Sequence, residues 1–264
     1  MKNISDRKRI VVKVGTSTLT HRTGMLNIRR VEQLVKTLAD IQNSGHEVIL
    51  VSSGAIGLGM GKLGLRERPK DTPGKQACAA VGQCELMYLY DNLFAEYSIT
   101  VAQMLLTKYI LLEDRRKNVE NAMERLIAHG VIPIINENDT VAIDELELEV
   151  GENDSLAATV AAIAKADLLI IMSDIDGLYD KDPHTYNDAR LIPVVHKITD
   201  DIRALAGGAG TKLGTGGMIT KLNAVEIAYD SDIDVVLMNG QHPKTLYDLF
   251  DGKTVGTFFC KKPD

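Results

Sequence analysis

Short β-branched apolar runs alternate with stretches of helical period from one end of the chain to the other, and few folds accept that pattern. Ile10–Val14, Val48–Val51, Ile99–Leu105, Val131–Ile135, Leu168–Met172, Asp234–Met238 and Val255–Phe259 read as strands. Between the first two, Ile28, Val31, Leu34, Val35, Leu38 and Ile41 recur at three- and four-residue spacing. They predict an amphipathic helix capped by Asn27 and stopped at Gly45. A strand, a helix and a strand of these lengths make a right-handed βαβ unit. Further helices are predicted from Thr72 (as cap, with Pro73 in the first turn) towards Phe94, from Val119 to Ile127 ending at Gly130, over Ala157–Ala164 behind Asn153 and Asp154, and over Met218–Tyr229. The expected class is α/β, a three-layer αβα sandwich with a mainly parallel central sheet. Pro133 predicts an irregular or edge position for its strand. Asp144 to Val150 alternates Glu with Leu and Val, as either an edge hairpin strand or a solvated arm.

Composition closes off several function classes. A formal net charge of -6, from 30 basic and 36 acidic residues, argues against a nucleic-acid surface but leaves room for a few placed lysines and amides to bind an anion. The three cysteines, Cys78, Cys84 and Cys260, lack the spacing of a disulfide framework or a zinc site. Cys78 and Cys84 read as small core residues of an Ala-rich helix, and the setting expected is reducing and cytoplasmic. No apolar run approaches the roughly 20 residues of a membrane span, and Met1 to Arg9 carries no signal-peptide pattern.

Ligands of open α/β sheets sit beyond the C-terminal strand ends, and the polar clusters of this chain collect there. Lys13 lies in the first apolar run, before Gly15-Thr16-Ser17. An unpaired buried ammonium is costly, so it either snorkels to solvent or meets an anion. Ser52-Ser53-Gly54-Ala55-Ile56-Gly57 is either a tight turn or a close backbone approach to an anion, the second favoured by the added serine donors. An Asx-turn or a helix cap explains part of Asn136-Glu137-Asn138-Asp139 and of Gly151-Glu152-Asn153-Asp154-Ser155, but not two polar clusters flanking one segment. Ser173-Asp174-Ile175-Asp176-Gly177 lacks the bidentate Glu of a calcium loop and reads as a turn receiving a nucleotide. The glycines at 207, 208 and 210, then Gly214-Thr215-Gly216-Gly217-Met218 with Thr220-Lys221 on the following helix, make either a mobile surface loop or a phosphate cradle. The lysine stands where the helix dipole disfavours a cation, which weakens the first reading.

Taken together and in this order, Lys13-Val14-Gly15-Thr16-Ser17, Ser53-Gly54-Ala55-Ile56, Asn136-Glu137-Asn138-Asp139, Gly151-Glu152-Asn153-Asp154 and Gly214-Thr215-Gly216-Gly217-Met218 with Lys221 resemble the amino acid kinase family. Within it they are most similar to the branch that phosphorylates the γ-carboxylate of glutamate. Aspartate kinases carry Gly-Gly-Thr after the first lysine, N-acetylglutamate kinases Gly-Gly-Asn, and UMP kinases lack the Asn-Glu-Asn-Asp run. The resemblance spans about Lys8 to Phe259 and implies one kinase domain over residues 1–264. Its N-terminal part would mainly bind glutamate and its C-terminal part ATP. By the resemblance, Lys13 and Lys221 neutralise the transferring phosphoryl and Asp154 holds them. Ser53, Asp139 and Asn153 bind L-glutamate. Lys13, Ser173, Asp174, Thr215, Gly216, Gly217, Met218, Ile219, Thr220 and Lys221 contact ATP, with Mg2+ on the nucleotide and no protein side chain holding it. It also implies proline as feedback inhibitor, a homo-oligomer, and contact with the reductase that consumes the acyl phosphate. Many members of the branch continue into a C-terminal PUA domain; no such domain is expected here, nor RNA contact, nor a membrane. Glu152 stands where the family has Asp, with the carboxylate kept. The competing readings are a sister kinase for another carboxylate or phosphate, and a non-catalytic nucleotide-binding module.

Overall fold

The computed structural model describes residues 4–21, 25–107, 113–141, 152–183, 185–206 and 217–261. Its central strand is β1, Arg9–Val14, in which Ile10, Val11, Val12 and Val14 are at most 1% exposed. Burying a side chain of that size stabilises by about 1.5–3 kcal/mol, so a β-branched run of this kind is driven to the middle of a sheet. The other strands are β2 (Glu47–Ser52), β3 (Val101–Leu106), β4 (Ile132–Glu137), β5 (Leu168–Ser173), β6 (Val194–Val195), β7 (Asp234–Asn239) and β8 (Thr257–Phe259). Among the described residues they form one eight-stranded sheet in the order β3-β4-β2-β1-β5-β7-β8-β6. Every pairing is parallel except β7 with β8. The chain runs to one side of β1 through β2 and to the other through β5, which makes the β1–β5 boundary the switch point where such sheets bind ligands.

Helices cover both faces. They are α1 (Thr16–Leu19), α2 (Ile28–Asn43), α3 (Ala55–Lys62), α4 (Thr72–Ala95), α5 (Glu113–Ala128), α6 (Glu152–Ala164), α7 (Asp200–Leu205), α8 (Met218–Asp230) and α9 (Thr245–Phe250). Side chains alternate between faces along a strand. Ile10, Val12 and Val14 pack with Leu34 and Leu38 of α2, Tyr90 and Phe94 of α4 and Leu246 of α9. Val11 packs on the opposite face with Met123 of α5, Ala157 and Ala161 of α6 and Leu222 and Val225 of α8. The same alternation turns Lys13 towards α6 and α8. No helix among the described residues is long and apolar enough to cross a membrane.

Several expectations change in detail. Pro133 lies in the interior strand β4, not at an edge. Ile132 donates to Thr100 O on the β3 side, so the donor that Pro133 lacks would face β2, whose pairing begins only at Ile134. The cap of α4 is Asp71, which accepts from Gly74 N–H, rather than Thr72. Asn153, Asp154 and Ser155 lie inside the first turn of α6 rather than ahead of it. Cys84 is exposed, whereas Cys78 is buried. The stretch from Asp144 to Val150 lies outside the described residues.

Glycine governs how α3 meets α4. A Cβ on Gly82 would fall 1.7 Å from the carbonyl oxygen of Ala55, and one on Gly59 would fall 1.8 Å from that of Cys78. The two helices therefore touch backbone to backbone. Because α3 follows Ser53 directly, this contact sets the position of that strand end. Gly82→Ala is expected to destabilise the fold by about 1–3 kcal/mol through overpacking. A thermal midpoint unchanged from wild type in calorimetry would contradict so close a contact.

Candidate active site

The centre of the site is a carboxylate between two ammonium groups. Asp154, in the first turn of α6, meets Lys13 Nζ at 2.5 Å through Oδ1 and Lys221 Nζ at 3.2 Å through Oδ2. Lys13, Lys221 and Asp154 are 8%, 6% and 1% exposed, so none is paired with bulk water instead. The sequence explains the approach. Alanines 157, 158, 161 and 164 of α6 are almost fully buried, and such small side chains let the helix lie close over β1 and against α8. A carboxylate in a first helical turn is favoured by the helix dipole, while Lys221, in the first turn of α8, is disfavoured by it and depends on its partner. Burial alone would push the Asp154 carboxyl up, but Lys13 and then Lys221 outweigh this and hold it below the usual carboxylate range.

A glycine stands close in the chain to each of these lysines, Gly15 after Lys13 and Gly217 before Lys221. A Cβ on Gly15 would stand 3.6 Å from Lys13 Nζ, so the backbone there passes close to the ammonium. Gly217 is the N-cap of α8, makes no side-chain cap bond, and faces open space where a Cβ would be. The first N–H groups of α8 are thus not taken by a cap side chain. Thr220 Oγ1 donates to Gly217 O at 2.8 Å, and Ile219 is exposed. Ser173 Oγ donates to Asp174 Oδ1 at 3.1 Å at the end of β5. Met218 is half-buried and packs against the core that holds Ala157 and Leu222. Thr215 and Gly216 lie outside the described residues.

A second group lines the ends of β2 and β4. Asn153 Nδ2 donates to Ser53 Oγ at 2.5 Å and stands 3.4 Å from Asn136 Oδ1. Asn136 Nδ2 donates to Gln83 Oε1 of α4 at 2.8 Å. Beneath Ser53, the Ser52 hydroxyl and the buried Tyr90 phenol are 2.9 Å apart, and Gly54, at φ 104°, turns the chain into α3. Asp139 stands past the end of β4. Burial pushes its carboxyl up to about 6 against the opposing charge of Arg68. Among the described residues no hydrogen bond joins it to Ser53 or Asn153.

The structure thus brings Lys13, Asp154 and Lys221 into contact, pairs Ser53 with Asn153, and leaves Asp139 beside them at a neighbouring strand end. Sequence reasoning missed Gln83, and it missed Asn239, whose Nδ2 donates to Asp176 Oδ1 at 2.7 Å while Tyr179 OH donates to the other carboxylate oxygen at 2.9 Å. A polar residue ending β7 was the available signal for Asn239. Among the described residues no group of three or more His, Cys, Asp or Glu could hold a metal ion. The central donor set does not fit a protein-held cation either, since its carboxylate is taken by two ammonium groups.

Comparison with known proteins gives a consistent result. The amino acid kinase family is matched over residues 8–239. The glutamate 5-kinase of Clostridium perfringens is 51% identical over 264 residues, covering 99% of this chain and 98% of that protein. That of Clostridium tetani is 54% identical over 257 residues, covering 97% and 96%. Among solved structures, a UMP kinase from Bacillus anthracis superposes with a TM-score of 0.66 at 15% identity, covering 97% of each chain. Carbamate kinase from Giardia lamblia bound to AMP-PNP gives 0.66 at 18%, covering 98% of this chain and 100% of that one. At such identities the structural likeness speaks for the fold.

Removing the shared carboxylate strands two buried cations. Asp154→Asn is expected to cost about 3–5 kcal/mol, the penalty for breaking a buried pair. The check is urea unfolding, and a loss under about 1 kcal/mol would mean that the lysines are solvated. Because the folded carboxyl lies below its unfolded value of about 3.9, its contribution is full above that pH and fades as pH falls through the lowered folded value.

Proposed function

The chain belongs to the amino acid kinase family, and on that premise we propose that it transfers the γ-phosphoryl group of ATP to the γ-carboxylate of L-glutamate, giving L-glutamyl 5-phosphate and ADP, the first step of proline biosynthesis. Identities near 50% to glutamate 5-kinases over almost the whole chain carry the reaction. The buried Lys13–Asp154–Lys221 cluster carries the chemistry.

A glutamate γ-carboxyl titrates near about 4.3, so the acceptor is already an anion at neutral pH and needs no general base. One of its oxygens attacks the γ-phosphorus as the bond to the ADP oxygen breaks, and the electron pair leaves with ADP. The difficulty is charge, because an anion must approach a polyanion. Catalysis is then alignment and neutralisation. In this reading Lys13 and Lys221 face the transferring phosphoryl from two sides, and Asp154 keeps them apart and aimed. Two cations and one anion leave the cluster one positive charge in excess, which a phosphoryl group matches. Mg2+ arrives on the nucleotide and supplies further neutralisation of its phosphates. Ser173, Asp174 and the segment Thr215 to Lys221 hold ATP. Ser53, Asn153 and Asp139 hold glutamate, with Asp139 set against the α-ammonium, which N-acylated analogues lack. Feedback by proline through this amino-acid site, a homo-oligomer, delivery of the labile acyl phosphate to a reductase, and a cytoplasmic setting complete the proposal. No nucleic-acid or membrane partner enters it.

Turnover of Mg-ATP with hydroxylamine present tests the reaction. Hydroxamate is expected with glutamate and not with aspartate or N-acetylglutamate, and UMP should release no ADP. Turnover with another acceptor alone would overturn the substrate. At an effective dielectric of 20, a unit charge about 4 Å away is worth about 4 kcal/mol. Lys13→Ala or Lys221→Ala should therefore lower kcat by about 100-fold or more, and a near-normal kcat would remove the lysine from the role. Asp139 supplies a pH test. Its carboxyl takes up a proton below about 6 and then offers no charge to the ammonium. Accordingly kcat/KM for glutamate should fall as pH drops through that value, and Asp139→Asn should flatten this limb while raising the glutamate KM far more than the ATP KM.

A further inference from the structure

Gln83 is 9% exposed on α4, and no step of the reaction uses it. Its Oε1 accepts from Asn136 Nδ2 at 2.8 Å, while its Nε2 is buried with no hydrogen-bond partner among the described residues. Asn136 Oδ1 faces Asn153 Nδ2 at 3.4 Å, and that same Nδ2 donates to Ser53 Oγ at 2.5 Å. A side-chain amide has one donor end and one acceptor end. With the Asn153 nitrogen engaged on Ser53 and Asn136, its Oδ1 is the end left for a ligand.

We propose that Gln83 is a positioning residue for the substrate amine: its Oε1 fixes the orientation of the Asn136 amide, which fixes that of Asn153, so that Asn153 presents an oxygen rather than an NH2 group to the α-ammonium of glutamate. This rests on the reading that Asn153 lines the glutamate site. The row of three amides could also be satisfied in the opposite sense. Gln83 Nε2 would then donate to Asn136 Oδ1, Asn136 Nδ2 to Asn153 Oδ1, and an NH2 group would meet the ammonium. That arrangement gives Gln83 Nε2 the partner it lacks. The structure holds the first sense, with Asn136 Nδ2 on Gln83 Oε1 and Asn153 Nδ2 on Ser53 Oγ and towards Asn136 Oδ1. In that sense the acceptor end of Asn153 is the one kept for a cation.

Gln83→Met keeps the length and removes the acceptor. The buried Asn136 nitrogen then has nowhere to donate unless the amide turns over, which sets its nitrogen against that of Asn153. The expected result is a glutamate KM raised about tenfold, with the ATP KM and kcat within about twofold. Glutarate, which has the same carbon chain and both carboxylates but no amine, should keep its inhibition constant within about threefold. Gln83→Glu retains an oxygen for Asn136 and replaces the unpaired donor with a second oxygen and a negative charge; it should restore the glutamate KM to within about threefold of wild type. Gln83→Ala, run in parallel, gives the same comparison should the Met variant not fold. A purely structural role would raise the glutamate KM, the glutarate constant and the ATP KM together as the thermal midpoint fell, and that result would overturn the proposal. So would an unchanged glutamate KM in both truncations, or no restoration by Glu. Asn153→Ala separates the two levels. If it leaves the glutamate KM unchanged, the assignment of Asn153 itself is wrong. If it raises that KM while Gln83→Met has no amine-specific effect, only the role of Gln83 falls.

Discussion

One carboxylate holding two ammonium groups out of water is the constraint that orders the rest of the molecule. Desolvating three charges is expensive, and their mutual attraction offsets this only when the geometry is close. That requirement accounts for the alanines of α6, which let Asp154 come down onto β1, and for the start of α8 next to it. It also accounts for a lysine in a strand whose apolar residues are at most 1% exposed. Lys221 is the more dependent partner, since the dipole of its own helix opposes it.

The two halves of the site, on the proposed reading, use different chemistry because the two substrates pose different problems. On the proposed reading, the phosphate side offers fixed positive charge in a protein whose formal net charge is -6. The amino-acid side offers neutral amides, a hydroxyl and one carboxylate poised near neutrality. A second pair of lysines there would bind the carboxylates of glutamate more strongly and would also repel its ammonium. The parallel sheet supplies both sides from adjacent strand ends: β1 and β5 flank the switch point, and β2 and β4 continue the row on the β1 side.

Much of this was legible in the chain because each signal was local. Seven of the eight described strands could be placed to within one or two residues, most of them because their apolar runs end in glycine, serine or asparagine, whereas the two-residue β6 offered no run to read. Lys13 and Lys221 were readable as misfits, namely a cation in a core strand and a cation at the wrong end of a helix, while Asp154 stood in one of two polar clusters and took its role only from the resemblance. What escaped notice depends on distant partners. Pro133 breaks the edge-strand rule only because its missing donor falls ahead of the pairing with β2. Cys84 sits in a helix of small residues whose period does not separate its faces. Gln83 is next to it and looks like a surface glutamine, and its partner lies 53 residues away on β4.

The depth of the charged cluster has a consequence beyond catalysis. Surface attractions are weakened by dissolved ions, over a Debye length of about 8 Å at physiological ionic strength. Counter-ions cannot take up positions between Lys13, Asp154 and Lys221, which together expose almost nothing. Long-range encounter with a charged nucleotide still varies with the medium, but the field inside the closed cluster does not. On the proposed reading, the transfer step is in this sense insulated from the salt content of its surroundings.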